Sequence, residues 1–194
     1  MKESKMETHI TTFTGKRIDY LMPDWRQINI KDISHALSQI CRYNGHCPQF
    51  YSVAEHSYHC SEMCTDPKDA LVMLLHDAAE AYVGDLPSPL KRLLPDYQKI
   101  EHDIFDAILH AFKIDWDIDA NMMKSLDRTM YAIERNSFQG YNPQDSYGNA
   151  NSESVKLWQG NLYYWNQDLA DWRFRSKFYQ LREDVKRQSK ETVG

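Results

Sequence analysis

The chain has 194 residues, of which 42% are hydrophobic and 26% charged, and it carries a formal net charge of −5. That length suits one domain with a substantial core and is short for two. The acidic balance excludes a general nucleic-acid binder, which carries a basic one, but leaves small anionic substrates open, because a few local cations suffice to hold them.

The first nine residues read as a frayed arm, and Ile10 to Pro23, β-branched and aromatic around Gly15, as a short hairpin or extended segment. From Ile30 to Cys41 the apolar residues Ile30, Ile33, Leu37, Ile40 and Cys41 recur at helical spacing behind an Asn29 cap. His35 falls on the far side of that helix, where a surface histidine is the expectation. A loop broken by Gly45 and Pro48 follows and carries Arg42 and Tyr43. Ser52 with Glu55 three residues later is the capping-box signature of the next helix. Its stripe reads Val53, His56, Cys60, Met63 and Cys64. A histidine on a buried face is usually a hydrogen-bonded core residue, so His56 becomes a ligand candidate only through its neighbours in space.

The segment Ala70 to Val83 organises the chain. At about 100° per residue, His76, Asp77 and Glu80 share one arc of about 100° on a predicted helix. The rest of that helix is apolar, including Leu71, Leu74, Leu75, Ala78 and Tyr82. A helix apolar nearly all round is buried, and two buried carboxylates beside an imidazole call for a cation. The opposing reading is an ordinary solvated face, and the chain supplies its own control. On the helix predicted from Pro95 to Phe112, His102, Asp103, Asp106 and His110 lie opposite the apolar side of Ile100, Ile104, Ile108, Ala111 and Phe112. Pattern therefore separates the buried His76-Asp77 pair from the solvated His102-Asp103 pair.

Between these helices, Gly84 ends the periodicity and a proline-punctuated turn begins, with Asp85 at its mouth and Lys91 at its far end. A helix from about Ile118 to Phe138 buries Met122, Met123, Leu126, Met130 and Ile133. Asp127 and Glu134 share the edge of that stripe, where salt bridges to Arg128 or Arg135 compete with metal coordination. Gly140 to Ser152 reads as a loop and a candidate for disorder. One or two closing helices then pack Trp158, Leu162, Trp165, Leu169, Trp172, Phe178 and Leu181 against the bundle or a second subunit, which leaves a homo-oligomer open.

The longest wholly apolar run, Leu71 to Leu75, is far below a membrane span, and the polar N-terminus has no signal-peptide core, so a cytoplasmic chain without membrane contact is expected. Cys41, Cys47, Cys60 and Cys64 lack CxxC spacing and suit reduced thiols, with a Cys/His zinc site as the sharper alternative.

The series AEHS at Ala54 to Ser57, LLHDAAEAYVGDLPSPLK at Leu74 to Lys91 and the later helical Asp127 resembles the HD-domain phosphohydrolases. Within them, TGKRIDYLMP at Thr14 to Pro23 and ISHALSQICRYNGH at Ile33 to His46 are similar to the branch of 5'-deoxynucleotidases and of phage enzymes that hydrolyse dATP. The likeness covers about residues 15–138; the segment from about 153 to 189 has no counterpart and reads as a helical extension of one domain. The fold implied is all-α, a single helical bundle with a short N-terminal hairpin or extended piece.

Carried over by motif, the resemblance makes His56, His76, Asp77 and Asp127 the ligands of one divalent metal and Glu80 the acid that aligns or deprotonates water. Asp85 matches an acid near the scissile bond or a second cation. Arg42 matches a phosphate-binding arginine, Tyr43 replaces a tryptophan beside the nucleoside, and Lys91 is a further phosphate candidate. Two imidazoles and two carboxylates suit Mn, Co, Fe, Ni, Zn or Mg. The implied reaction is hydrolysis of a deoxynucleotide at its 5'-phosphate, leaning to dATP giving deoxyadenosine and triphosphate. A deoxynucleotidase acting on monophosphates and a non-catalytic nucleotide-binding module are the alternatives.

Overall fold

Strands β1 (His9–Thr11) and β2 (Arg17–Asp19) pair antiparallel with Ile10 opposite Ile18, in a computed structural model that describes residues 7–138 and 160–191. Gly15, at φ 79°, supplies the left-handed residue of the turn between them. The hairpin is held to the bundle by Asp32. Its buried carboxylate accepts hydrogen bonds from Thr12 Oγ1 at 2.8 Å, Thr14 N at 2.7 Å, Thr14 Oγ1 at 2.8 Å and Asn29 Nδ2 at 2.6 Å. The arm expected to fray is therefore ordered from His9 onward, while residues 1–6 lie outside the described residues.

Eight α-helices follow among the described residues: α1 (Ile30–Gln39), α2 (Val53–Glu62), α3 (Pro67–Leu75), α4 (Glu80–Val83), α5 (Ser88–Lys91), α6 (Pro95–Ala111), α7 (Ala120–Ser137) and α8 (Gln167–Glu191). The architecture is the expected all-α bundle with a short N-terminal hairpin. Asn29, Asp66 and Asp119 cap α1, α3 and α7 by accepting from backbone N–H groups of the first turn. The core is built from Ile33, Leu37, Leu71, Leu74, Leu75, Ile104, Ile108 and Phe174, all fully buried; each contributes about 1.5–3 kcal/mol by leaving water. A smaller cluster of Cys60, Met73, Met130 and Ile133 seats α7 on α2 and α3. No helix among the described residues is long and apolar enough to cross a membrane.

Two expectations need correction here. Ser52 Oγ accepts from Glu55 N at 3.1 Å, but Glu55 does not close the capping box. Its fully buried carboxylate instead accepts the backbone N–H groups of Tyr163, Tyr164 and Trp165 at 2.7, 2.9 and 2.7 Å. The second concerns which residues of the closing segment point inward; its described helix, α8, packs across α1, α2 and α3. Trp165 is buried as expected, and Ala170, Phe174, Phe178 and Leu181 form the inward stripe of α8. Trp172, about 200° from Phe174 around the helix, is 54% exposed, and Leu169 is exposed with it. Trp158 and the Gly140 to Ser152 loop lie outside the described residues.

Candidate metal centre

The single helix expected from Ala70 to Val83 is broken at its centre. After Leu75 the backbone tightens: Ala78 N donates to Leu75 O at 2.8 Å, Glu80 N to Asp77 O at 3.0 Å and Tyr82 N to Ala79 O at 2.9 Å. These i→i+3 bonds wind three residues per turn instead of 3.6. The chain neighbours His76 and Asp77 can then converge, with His76 Nε2 and Asp77 Oδ2 at 3.2 Å. The last carbonyls of a helix lack intrahelical donors, and one of them, Met73 O, accepts His76 Nδ1–H at 2.7 Å. A carbonyl can only accept, so the proton sits on Nδ1 and the Nε2 lone pair of a neutral His76 faces inward.

His56 from α2 approaches the same point. Its Nε2 lies 3.3 Å from His76 Nε2, 3.5 Å from Asp77 Oδ2 and 3.2 Å from Asp127 Oδ1 of α7, and His76 Nε2 is 3.9 Å from Asp127 Oδ1. Its other nitrogen, Nδ1, donates to Glu134 Oε1 at 2.5 Å. Two inward imidazole nitrogens at this distance share either a proton, as a hydrogen bond, or a metal ion. An ion bound at about 2.0–2.1 Å to nitrogen and oxygen sets its ligand atoms about 3.0–3.4 Å apart, close to the spacings here. The donor set therefore fits a divalent ion. Cys60 belongs to the same group: its Sγ is 3.6 Å from His56 Nε2, and donor atoms of His56, Cys60 and His76 all lie within 4.8 Å of one another. These three residues could hold a metal ion. The cluster opens to solvent at Asp127, whose side chain is 45% exposed.

The charges are strongly interdependent. Burial works against ionised Asp77, but His76, His56 and Arg42 hold its carboxyl far below the usual carboxylate range. Burial likewise opposes a charged His56 and Arg42 repels it, yet Cys60, Glu134 and Asp127 keep its pKa well above that of a free imidazole. Glu80 behaves oppositely: burial, then Asp77 and Asp85, push its pKa well up. Asp85 is raised by burial and Asp77. Glu80 is almost fully buried and its Oε2 has no hydrogen-bond partner.

Arg42 sits where the chain turns sharply, since Tyr43, Asn44 and Gly45 follow it with φ of 59°, 50° and 78°. Non-glycine residues in that region cost about 1–3 kcal/mol each, so the turn is held by its surroundings. Arg42 Nη1 reaches Asp77 Oδ2 at 3.7 Å and Nη2 reaches Glu134 Oε2 at 3.2 Å, while the buried Nε has no partner. Tyr43 lies beside it with its hydroxyl turned inward to donate to Glu134, and its ring packs edge-on to Phe138. Lys91 Nζ is engaged by Glu101 at 2.6 Å and by Glu80 at 3.5 Å. His102 stands on the exposed face of α6, 3.6 Å from Asp106, as its contrast with His76 required.

Of the residues singled out from the sequence, His56, His76, Asp77 and Asp127 converge, Arg42 reaches Asp77, Tyr43 lies beside Arg42 and Lys91 pairs with Glu80, while Asp85 acts on Glu80 through its charge. Those that sequence reasoning missed are Tyr51 and Glu101, and the partners of Glu134. For Glu134 the sequence leaves a salt bridge to Arg128 or Arg135 and metal coordination open; it instead binds His56 Nδ1 at 2.5 Å and Arg42 Nη2 at 3.2 Å. The one available signal was the seven-residue interval from Asp127, which sets both acids on one face of α7.

A helical bundle with a His56, Cys60 and His76 group that could hold a metal ion is the class of protein that fold and site define. The chain belongs to the family of YfdR from Escherichia coli (strain K12), to which it is 42% identical over 127 residues, 65% of this chain and 70% of that protein. It is also 28% identical over 145 residues to RCAP_rcc00048 of Rhodobacter capsulatus, covering 69% of this chain and 74% of that one. Both are described as uncharacterized proteins. No family model matches the chain.

Proposed function

We propose that this protein is an HD-type metal-dependent phosphohydrolase that cleaves a deoxynucleotide at its 5'-phosphate, with dATP giving deoxyadenosine and triphosphate as the favoured reaction. The observation that carries this reading is the convergence of His56 Nε2, His76 Nε2, Asp77 Oδ2 and Asp127 Oδ1 within 3.2 to 3.9 Å in the pairs measured. A divalent ion held there would acidify water and polarise a phosphoryl oxygen. Glu80, with its raised pKa and unpartnered Oε2, is suited to take a proton from the attacking water and pass it to the leaving oxygen. Arg42, whose Nη1 reaches Asp77, supplies positive charge beside the phosphoryl oxygens, on which negative charge grows in the transition state. The charge of Asp85 adds to the raised pKa of Glu80 and so makes its ionised carboxylate a stronger base.

One observation favours the monophosphate alternative. Lys91 is already neutralised by Glu80 and Glu101, which leaves fewer positive charges for a triphosphate. Incubation with dATP, dGTP, ATP and dAMP, with Mn or Co and with or without chelator, tests the proposal by chromatography of nucleosides and phosphates. Metal-dependent release of deoxyadenosine from dATP, without dADP or dAMP, supports it. Turnover of dAMP alone moves the activity to monophosphates, and binding without turnover of any nucleotide supports a non-catalytic module.

A further inference from the structure

Outside the four converging donors, the most heavily engaged side chain near the site is Glu134. It is fully buried on α7 and touches His56 at Nδ1, not at the converging Nε2. Its Oε1 accepts from His56 Nδ1 at 2.5 Å and from Tyr51 O–H at 2.9 Å. Its Oε2 accepts from Arg42 Nη2 at 3.2 Å and from the Tyr43 hydroxyl. A carboxylate with about four lone-pair sites is thereby saturated. Two of its four donors are tyrosines, which hold it in place; the other two are the groups assigned to opposite halves of the chemistry. One half is His56, whose opposite ring nitrogen faces the other donors. The second is Arg42, whose Nη1 reaches Asp77 at 3.7 Å and to which the proposed function gives the phosphate.

We infer that Glu134 is a positioning residue that fixes the His56 ring and the Arg42 guanidinium with a single carboxylate, so that the ion site and the anion site are set by one group. The inference rests on the proposed metal-dependent reading. By holding Nδ1–H, Glu134 keeps the His56 Nε2 lone pair inward and makes it a stronger donor, an effect whose loss elsewhere costs about 10–100-fold in metal affinity. By holding Nη2, it fixes the plane and position of the Arg42 guanidinium, whose Nη1 reaches Asp77. Tyr51 and Tyr43 restrict the carboxylate to the one orientation that serves both.

The test is Co2+ affinity, measured by competition with a chelator, for wild type, Glu134→Gln and Glu134→Asp, with thermal unfolding in excess chelator to establish folding. Glu134→Gln keeps the shape and loses the charge; Glu134→Asp keeps the charge but is one methylene too short to reach both partners. Each folded variant is expected to bind Co2+ about 10–100-fold more weakly. At Co2+ concentrations that saturate all three proteins, KM for the nucleotide turned over should also rise in the variants, reporting the Arg42 half. Wild-type Co2+ affinity in either folded variant overturns the inference, and weakened Co2+ binding with unchanged KM overturns its Arg42 half. A wild type that binds Co2+ but turns over no nucleotide defeats the proposed function while the affinity comparison still decides the His56 half. A wild type that binds no Co2+ defeats both.

Discussion

Removing the Glu55 carboxylate should release the segment that leads into α8. In the native protein it accepts three consecutive backbone N–H groups, from Tyr163, Tyr164 and Trp165, of which the last is buried and the other two are partly so. An unsatisfied buried donor costs about 1–3 kcal/mol, with the lower end fitting the partly wetted pair. Glu55→Ala therefore loses about 3–5 kcal/mol, after allowing that the variant no longer buries a charge. Against a typical total of about 5–15 kcal/mol this is severe, and in a chain of this size it lowers Tm by about 10 °C. Glu55→Gln keeps one acceptor oxygen, which can serve two of the three donors, and should cost about 1–2 kcal/mol. Urea unfolding measures the totals, and amide exchange at 163–165 shows whether protection is lost there first. A Glu55→Ala protein within about 1 kcal/mol of wild type, with those amides still protected, would refute the argument.

Replacing His76, Asp77 or Asp127 with alanine should abolish bound metal and activity together, whereas His102→Ala should leave both intact; elemental analysis of a folded Asp77→Ala variant that still held stoichiometric metal would sink the assignment. Glu80→Ala should retain the ion yet lose about 10² in turnover, and near-normal turnover would give Glu80 a structural role. Acid stability should carry the signature of Glu134, whose carboxyl, despite burial, is held down to about 2 from its ordinary 4.5 by Arg42 and His56. A depressed acid contributes stability that is complete above the unfolded pKa and lost as pH falls through the folded one, here about 3 kcal/mol between about pH 4.5 and pH 2. Urea titrations in chelator across that window should show a steeper loss for wild type than for Glu134→Gln, and parallel curves would contradict the coupling.

Much of the fold was legible because it rests on local signals. The caps at Asn29 and Ser52, the stripes on α1 and α6 and the contrast between His76-Asp77 and His102-Asp103 follow from periodicity and side-chain chemistry alone. What could not be read depends on partners distant in sequence. Glu55 fits a capping box locally, but its acceptors were taken by backbone more than a hundred residues later. Lys91 looked available for phosphate because nothing in a linear reading sets Glu101 beside it. The break after Leu75 was hidden for another reason: alanines and aspartate permit both helix and tighter turns, and packing chose the turn. For α8, the many large aromatics suggested more inward positions than one helical stripe can hold, so Trp172 was left outside.

The position of α8 has a consequence for how the chain is made. Synthesis proceeds from the N-terminus, so the surface of α1, α2 and α3 that α8 covers stays open until residues 167–191 have left the ribosome. Its closing partners are spread along the helix: Asp171 receives the Ser34 hydroxyl, Lys177 pairs with Glu62 and Gln188 binds Asp66 at 2.6 Å. Pairings this far apart form late, because the long loop must close before any of them stabilises the product. All four converging donors are thus synthesised well before the lid of their own core. Until that last helix docks, the nascent protein presents its aliphatic interior to chaperones and to other copies of itself, and the interval is set by translation speed rather than by the stability of the finished bundle.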